Sequence, residues 1–276
     1  GSKVKFKKNK CEIIGNGLHQ NYKKKLVLNA GNSGTLGRLI LGLLINSNKK
    51  IRLIGDKSLS KRDFSRVTIP LKKFGAEFNR SKNLPLEMKG TNNPKPINYL
   101  EKKGSAQCKT TIMLAALKSE GVTTIKAKKS RDHTELMFKY LKIPIIIKKN
   151  NKKFDQIKIH GVKKVSPLNY KIPGDISSCA FFIVLTLLSK NSQLLIKNIN
   201  INPTRIGIIK ILKMMGASIK FINKRSYKGE KVSDIFIKSS KNLKGINCPV
   251  KYNSSAIDEF LVIFLVAAKS RGASYF

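Results

Sequence analysis

Small polar residues recur wherever an apolar segment begins: Asn32-Ser33-Gly34-Thr35, Ser105-Ala106-Gln107, Asp175-Ile176-Ser177-Ser178 and Ile257-Asp258-Glu259. Ser, Asp and Asn at such a point satisfy the free N–H groups of a helix's first turn. The same N–H groups, with the helix dipole, form an anion site. Capping accounts for Asp175 and Ser177. At Gly34-Thr35 and at 105–107 ligand contact is the stronger reading. Glycine lets a ligand approach the backbone, and Gln107 brings a donor that no cap requires.

Arginine is scarce beside lysine, so each one carries weight. Arg62 sits in Ser60-Lys61-Arg62-Asp63 and Arg131 in Ser130-Arg131-Asp132-His133, both polar turns that follow strand-like segments. A guanidinium offers a bidentate fork to phosphate or carboxylate. Asp258 and Glu259 precede a wholly apolar segment. They serve either as caps or, beside an anion site, as a general base on a hydroxyl. His133 reads as a packing or capping residue. No metal-ligand spacing, P-loop or GxGxxG fingerprint appears. The cysteines Cys11, Cys108, Cys179 and Cys248 lie far apart, which points away from zinc and from a redox dithiol. They fit a reducing, cytoplasmic setting.

Composition bounds the function classes. With 41% hydrophobic residues the chain can build a packed core. No run approaches the roughly 18 apolar residues of a membrane span, and 260–268 is far too short. The net charge of +41 admits an anionic partner. Lys, Asn and Ile share A/T-rich codons, however, and the lysines spread along the whole chain. Codon bias is the main reading, and no specific nucleic acid is expected. A basic nucleic-acid binder stays as an alternative resting on charge alone, without a motif or enough exposed aromatics for base stacking.

The elements that must position these residues repeat. Each unit runs polar turn, apolar helix, strand, second helix and two strands. Ser105 follows Gly34 by 71 residues, Ser177 follows Ser105 by 72, and the closing Gly161 follows Gly90 by 71. First helices are expected through Leu36–Leu44, Ile112–Leu117 and Phe182–Leu185, and second helices at Val67–Phe74, Leu136–Leu141 and Ile208–Met215. Val4–Phe6 and Cys11–Ile14 read as the last two strands of an earlier unit. Residues 258–268 read as the opening helix of a later one, and 273–276 as the start of its strand. Truncation at both ends is the expectation. The first helices are apolar all round and so expected to be buried, while strands such as Leu86-Glu87-Met88-Lys89 alternate as in sheets with one wet face. The fold class is therefore α/β, built from βαβαββ units with buried helices and outward-facing sheets, in lobes of the inside-out α/β barrel kind. A linker near Gly161–Pro173 divides a first lobe, 1–171, from a second, 172–276.

Six segments together resemble the 5-enolpyruvylshikimate-3-phosphate synthases of the enolpyruvyl transferase family. They are Gly31-Asn32-Ser33-Gly34-Thr35, Gly104-Ser105-Ala106-Gln107, Ser130-Arg131-Asp132-His133-Thr134-Glu135, Pro173-Gly174-Asp175-Ile176-Ser177-Ser178, Asn202-Pro203-Thr204-Arg205 and Ile257-Asp258-Glu259-Phe260. The resemblance spans essentially the whole chain and implies about two-thirds of a family member. It implies transfer of the enolpyruvyl group of phosphoenolpyruvate to the 5-hydroxyl of shikimate 3-phosphate, with release of phosphate. That step belongs to the shikimate pathway, toward chorismate and the aromatic amino acids. It implies a monomer with these two small-molecule substrates, no metal or organic cofactor, and no membrane. By resemblance, Ser105, Ala106, Gln107, Ser130 and Arg131 hold shikimate 3-phosphate. Gly34 and Arg62 contact phosphoenolpyruvate, with Gln107 between the two, and Asp258 takes the proton of the attacking hydroxyl. Asp63 departs from the proline common after that arginine. The sister transferase acting on UDP-N-acetylglucosamine shares the fold but lacks this set of segments.

The family's early Lys-Ser segment and its late Glu-Leu-Arg and Lys-Glu-Ser-Asp-Arg region have no counterpart here. The cationic ligands they supply would stabilise transition-state charge. The isolated 276 residues are therefore expected to show no measurable enolpyruvyl transfer, and a coupled phosphate-release assay checks this.

Overall fold

The structure, a computed structural model, describes residues 2–18, 26–150 and 153–276. The chain divides into two compact units. One holds Gly1–Lys129 with Leu141–Pro167, the other Ser130–Tyr140 with Leu168–Phe276. The sequence boundary at residue 171 leaves 130–140 in the first lobe, whereas the structure groups them with the second unit. The cause is long-range polar pairing: His133 bonds Glu230 at 2.6 Å, and Asn202 Nδ2 donates to Asp132 at 2.9 Å.

In the first unit, β1 (Lys3–Lys7) and β2 (Lys10–Ile14) form an antiparallel hairpin. The first repeat then runs β3 (Leu26–Asn29), α1 (Gly34–Leu43), β4 (Lys50–Ile54), α2 (Lys57–Ser60), α3 (Ser65–Lys73), β5 (Glu77–Phe78) and β6 (Leu86–Lys89). The second runs β7 (Asn98–Glu101), α4 (Ala106–Ala116), β8 (Val122–Lys128), α5 (His133–Tyr140), β9 (Ile145–Lys148) and β10 (Phe154–His160). Strand order is β3-β4-β6-β5 in one sheet and β7-β8-β10-β9 in the other, so the repeat read from sequence is a repeat of topology. The opening strands β3 and β7 pair parallel with β4 and β8. The sequence reading does not locate these strands, because four residues leading straight into a polar turn show too little alternation.

The second unit contains α5 and the third repeat: α6 (Ile176–Leu188), β11 (Gln193–Asn200), α7 (Gly207–Met214), β12 (Ser218–Tyr227) and β13 (Glu230–Lys238). Its sheet keeps the order β11-β13-β12, with the opening strand reduced to a parallel bridge between Gly174 and Ile199. A single 3-10 turn at Val250–Tyr252, α8 (Asn253–Ala256) and α9 (Phe260–Ala268) follow. Residues 273–276 form no strand of their own, only an isolated bridge between Asn247 and Tyr275.

Side-chain caps set the helix starts. Ser33 accepts from Leu36 N at 3.1 Å, Ser105 from Cys108 N at 3.2 Å and Asp175 from Ser178 N at 3.3 Å. The helices α1 and α4 pack together, and Lys118 beyond α4 donates to Leu43 O and Asn46 at the end of α1. Burial lowers the Lys118 ammonium to about 8. The core of this unit includes the fully buried Leu41, Ile45, Phe64, Phe74, Ile112 and Met113. In the second unit, α6, α7 and α9 pack over the sheet through Ile183, Leu187, Ile211 and Ile263. The apolar-all-round expectation holds less well there. Phe181, Phe182 and Leu185 of α6, and Leu261 of α9, are at least 60% exposed. Among the described residues only one side of these helices is covered.

The closing glycines have a shared physical cause. A Cβ on Gly90, Gly161 or Gly245 would overlap the backbone oxygen of Ile45, Ser119 or Ala273 respectively. At Gly90 and Gly161 the glycine lets a returning strand meet the end of a first helix, as the bonds Thr91 N→Ile45 O (2.9 Å) and Val162 N→Leu117 O (2.9 Å) show. Gly90→Ala is expected to destabilise the chain by about 1–3 kcal/mol. Thermal unfolding checks this against Gly15→Ala, where nothing lies within 4 Å of the added methyl and no change is expected.

Candidate functional site

Five of the site residues named from sequence stand near one another in the first unit. Gly34 opens α1, and Gln107 lies in the first turn of α4 after Ser105 and Ala106. Gln107 joins the two helix starts: its Nε2 donates to Thr35 Oγ1 at 2.9 Å, and its Oε1 accepts from Arg38 Nη1 at 2.6 Å. The turn before α4 is held by Glu101, a buried carboxylate that accepts from Lys103 N (3.0 Å) and Gly104 N (2.7 Å). Ser105 Oγ serves as the cap of α4, and Ala106 is the first helical residue.

Arg62 reaches the same place from the turn after α2. A Cβ on Gly34 would lie 3.2 Å from Arg38 Nη1 and 3.3 Å from Arg62 Nη1. Glycine at this position thus lets two guanidinium ends stand close against the start of α1. Arg38 is buried, stacks over the Phe64 ring at 5.2 Å and donates to Asp63 O at 3.2 Å. Its Nε has no hydrogen-bond partner among the described residues. Burial, then the neighbouring Arg66 and Arg62 cations, lower its guanidinium below the ordinary value, with Asp63 opposing. One buried guanidinium with further arginines beside two helix N-termini is an arrangement that favours an anion. Asp63 itself is held below the carboxylate range by Ser65 and accepts from Ser65 N at 2.7 Å. Sequence reading missed Arg38. The signal was a lone cation inside an otherwise apolar helix.

The second unit carries the other named residues. Arg131 Nη2 bonds Asp258 Oδ2, and Arg205 Nη1 lies 3.5 Å from the same oxygen. Arg205 Nη2 also meets Asp175 Oδ1 at 3.0 Å and donates to Ser177 Oγ, which in turn donates to Glu259 Oε1. Glu259 is buried, and burial pushes its carboxyl up against the opposing pull of Ser177 and Arg205. Neither carboxylate at this position caps α9, since the side chain of Glu259 makes no cap bond and Asp258 is spent on arginines. Asp175 does cap, as expected, and adds the bond to Arg205.

The loop carrying Ser130 and Arg131 is anchored from behind. Asn202, buried, donates to Asp132 at 2.9 Å and to Glu230 at 3.2 Å. Burial would raise the Glu230 carboxyl, but the hydrogen bond and charge of His133, with Asn202 and Asn200, hold it below the usual range. His133 is therefore a structural partner. The buried Ser130 Oγ has no hydrogen-bond partner among the described residues. Among the described residues no group of three or more His, Cys, Asp or Glu could hold a metal ion, and no helix is long and apolar enough to cross a membrane.

Comparison with known proteins matches residues 1–275 to the family model described as EPSP synthase (3-phosphoshikimate 1-carboxyvinyltransferase). The 3-phosphoshikimate 1-carboxyvinyltransferase of Petrotoga mobilis is 43% identical over 251 residues, covering 89% of this chain and 57% of its own length. That of Caldicellulosiruptor bescii is 40% identical, covering 98% of this chain and 62% of its own. The solved EPSP synthase of Acinetobacter baumannii superposes with a TM-score of 0.86 at 36% identity, over 99% of this chain and 62% of that one. The chain thus spans about three-fifths of the length of the relatives it matches.

Proposed function

Since the chain belongs to the EPSP synthase family, we propose that it serves the transfer of the enolpyruvyl group from phosphoenolpyruvate to the 5-hydroxyl of shikimate 3-phosphate. The hydroxyl oxygen bonds to the enol carbon, the carbon–oxygen bond to phosphate breaks, and phosphate leaves. The observation that carries the reading is the joining of the α1 and α4 starts by Gln107, beside Gly34, where the ends of Arg38 and Arg62 draw together. Those two guanidiniums beside the helix starts suit the phosphate and carboxylate of phosphoenolpyruvate. Gly34 and Arg62 contact phosphoenolpyruvate in this reading. Ser105, Ala106, Gln107, Ser130 and Arg131 hold shikimate 3-phosphate, and Asp258 accepts the hydroxyl proton. The two compact units are read as the two lobes. The reading takes the protein as a cytoplasmic monomer.

The test joins the 276 residues to the flanking segments of the Petrotoga mobilis relative and follows phosphate release. Release that requires both phosphoenolpyruvate and shikimate 3-phosphate, and that UDP-N-acetylglucosamine does not support, is the expected result. A folded chimera without it overturns the proposal.

A further inference from the structure

The segment Asn202-Pro203-Thr204-Arg205 has no part in the reaction as described above. We propose that Arg205 is a positioning residue that holds Asp258 in place for proton transfer. The inference rests on the proposed function, because it takes Asp258 as the proton acceptor.

Two guanidiniums share Asp258 Oδ2, and they differ in their surroundings. The Arg131 side chain is 34% exposed and that of Arg205 only 12%. Arg205 is fixed at both ends. At its base, Arg205 N donates to Asn202 O at 2.8 Å, while Asn202 Oδ1 accepts from Thr204 N at 2.8 Å and Thr204 Oγ1 at 2.7 Å. At its tip, Asp175 and Ser177 hold Nη2, which leaves Nη1 directed at Asp258. Ser177 extends the same hold to Glu259, so one guanidinium steadies both members of the 258–259 pair.

Arg131 has a second task in the proposed function, the binding of shikimate 3-phosphate. When it turns to that ligand, Asp258 loses one of its two cations. Arg205 is the one that stays. It keeps the carboxylate oriented and in place while Arg131 is exchanged between protein and substrate. The planar fork is needed for this, because it spans Asp175 and Asp258 at once, and a lysine ammonium is a point donor.

The experiment is a double-mutant cycle in the chimera described above, with Arg205→Ala, Asp258→Asn and their combination. Arg205→Ala is expected to lower kcat by about 10- to 100-fold through misplacement of the acceptor. The KM for each substrate should stay within about threefold, as for an interaction that matters in the transition state only. Arg205→Lys should recover part of kcat. On the Asp258→Asn background, Arg205→Ala should cost nothing further, since its effect runs through that carboxylate. Independent, multiplying losses would overturn the proposal, as would a raised KM with unchanged kcat. Thermal unfolding screens each variant. If Arg205→Ala does not fold, the same cycle with Arg205→Lys decides the question by the same criterion. The unmodified chimera separates the two claims: without turnover the function reading fails, whereas turnover that Arg205→Ala leaves unchanged sinks this inference alone.

Discussion

Asp258→Asn, in the chimera, is expected to reduce kcat by about 10²- to 10⁴-fold, the usual contribution of a general base. The amide keeps the size of the side chain and loses its proton affinity. The structure adds a second expectation. Asp258 is bonded to Arg131, the residue proposed to bind shikimate 3-phosphate. A neutral Asn releases Arg131 from that bond, so the KM for shikimate 3-phosphate should stay level or fall. A loss of turnover without a loss of affinity separates a base from a mere support of the loop, because a support would cost both. Steady-state kinetics with both substrates varied is the measurement. Turnover within a few-fold of the parent would return Asp258 to a structural role.

Gly34→Ala is the second large effect. The family resemblance implies that glyphosate competes for the phosphoenolpyruvate site, so the parent chimera is expected to be glyphosate-sensitive. The backbone at Gly34 is the first residue of α1 and has no left-handed φ, so alanine meets no conformational strain there. Alanine also has the better helix propensity. Loss of fold is therefore a poor explanation for any defect. The new methyl would meet Arg38 Nη1 at 3.2 Å, Arg62 Nη1 at 3.3 Å and Leu59 Cδ1 at 3.6 Å. All three are side-chain ends that can yield by tenths of an ångström. What changes is the placement of the two guanidinium ends. Crowding of this kind costs about 1–3 kcal/mol, or roughly 5- to 150-fold in affinity. The longer glyphosate should bear that loss, while the shorter phosphoenolpyruvate should lose less. Inhibition and Michaelis constants measured side by side decide it, and equal loss for both ligands would rule the reading out.

Much of this molecule is legible without its fold. The 71- and 72-residue repeat, the helices over Leu36–Leu44 and Ile208–Met215, and the alternating strands follow from local periodicity, which each segment carries in its own residues. The short opening strands β3 and β7 are not legible, because four residues carry too little pattern. The caps at Ser105 and Asp175 are visible for the same local reason that the helices are. Asp258 is not decidable locally. Its sequence context fits a cap, and only the approach of Arg131, 127 residues away, and of Arg205 makes it an ion-paired carboxylate.

Local residue patterns suffice for the repeating α/β architecture and the chemistry-bearing segments, and with them the family. Tertiary structure alone decided which side chains act together. Gln107 meets Thr35 across 72 positions and Arg38 across 69. Residues 130–140 join the second unit because Asp132 and His133 find partners 70 and 97 positions away. The exposed faces of α6 and α9, expected to be buried, depend on what packs against them rather than on their own composition. Periodicity is a property of neighbours along the chain. Hydrogen bonds, ion pairs and burial are properties of neighbours in space, and no local pattern encodes which distant residue arrives.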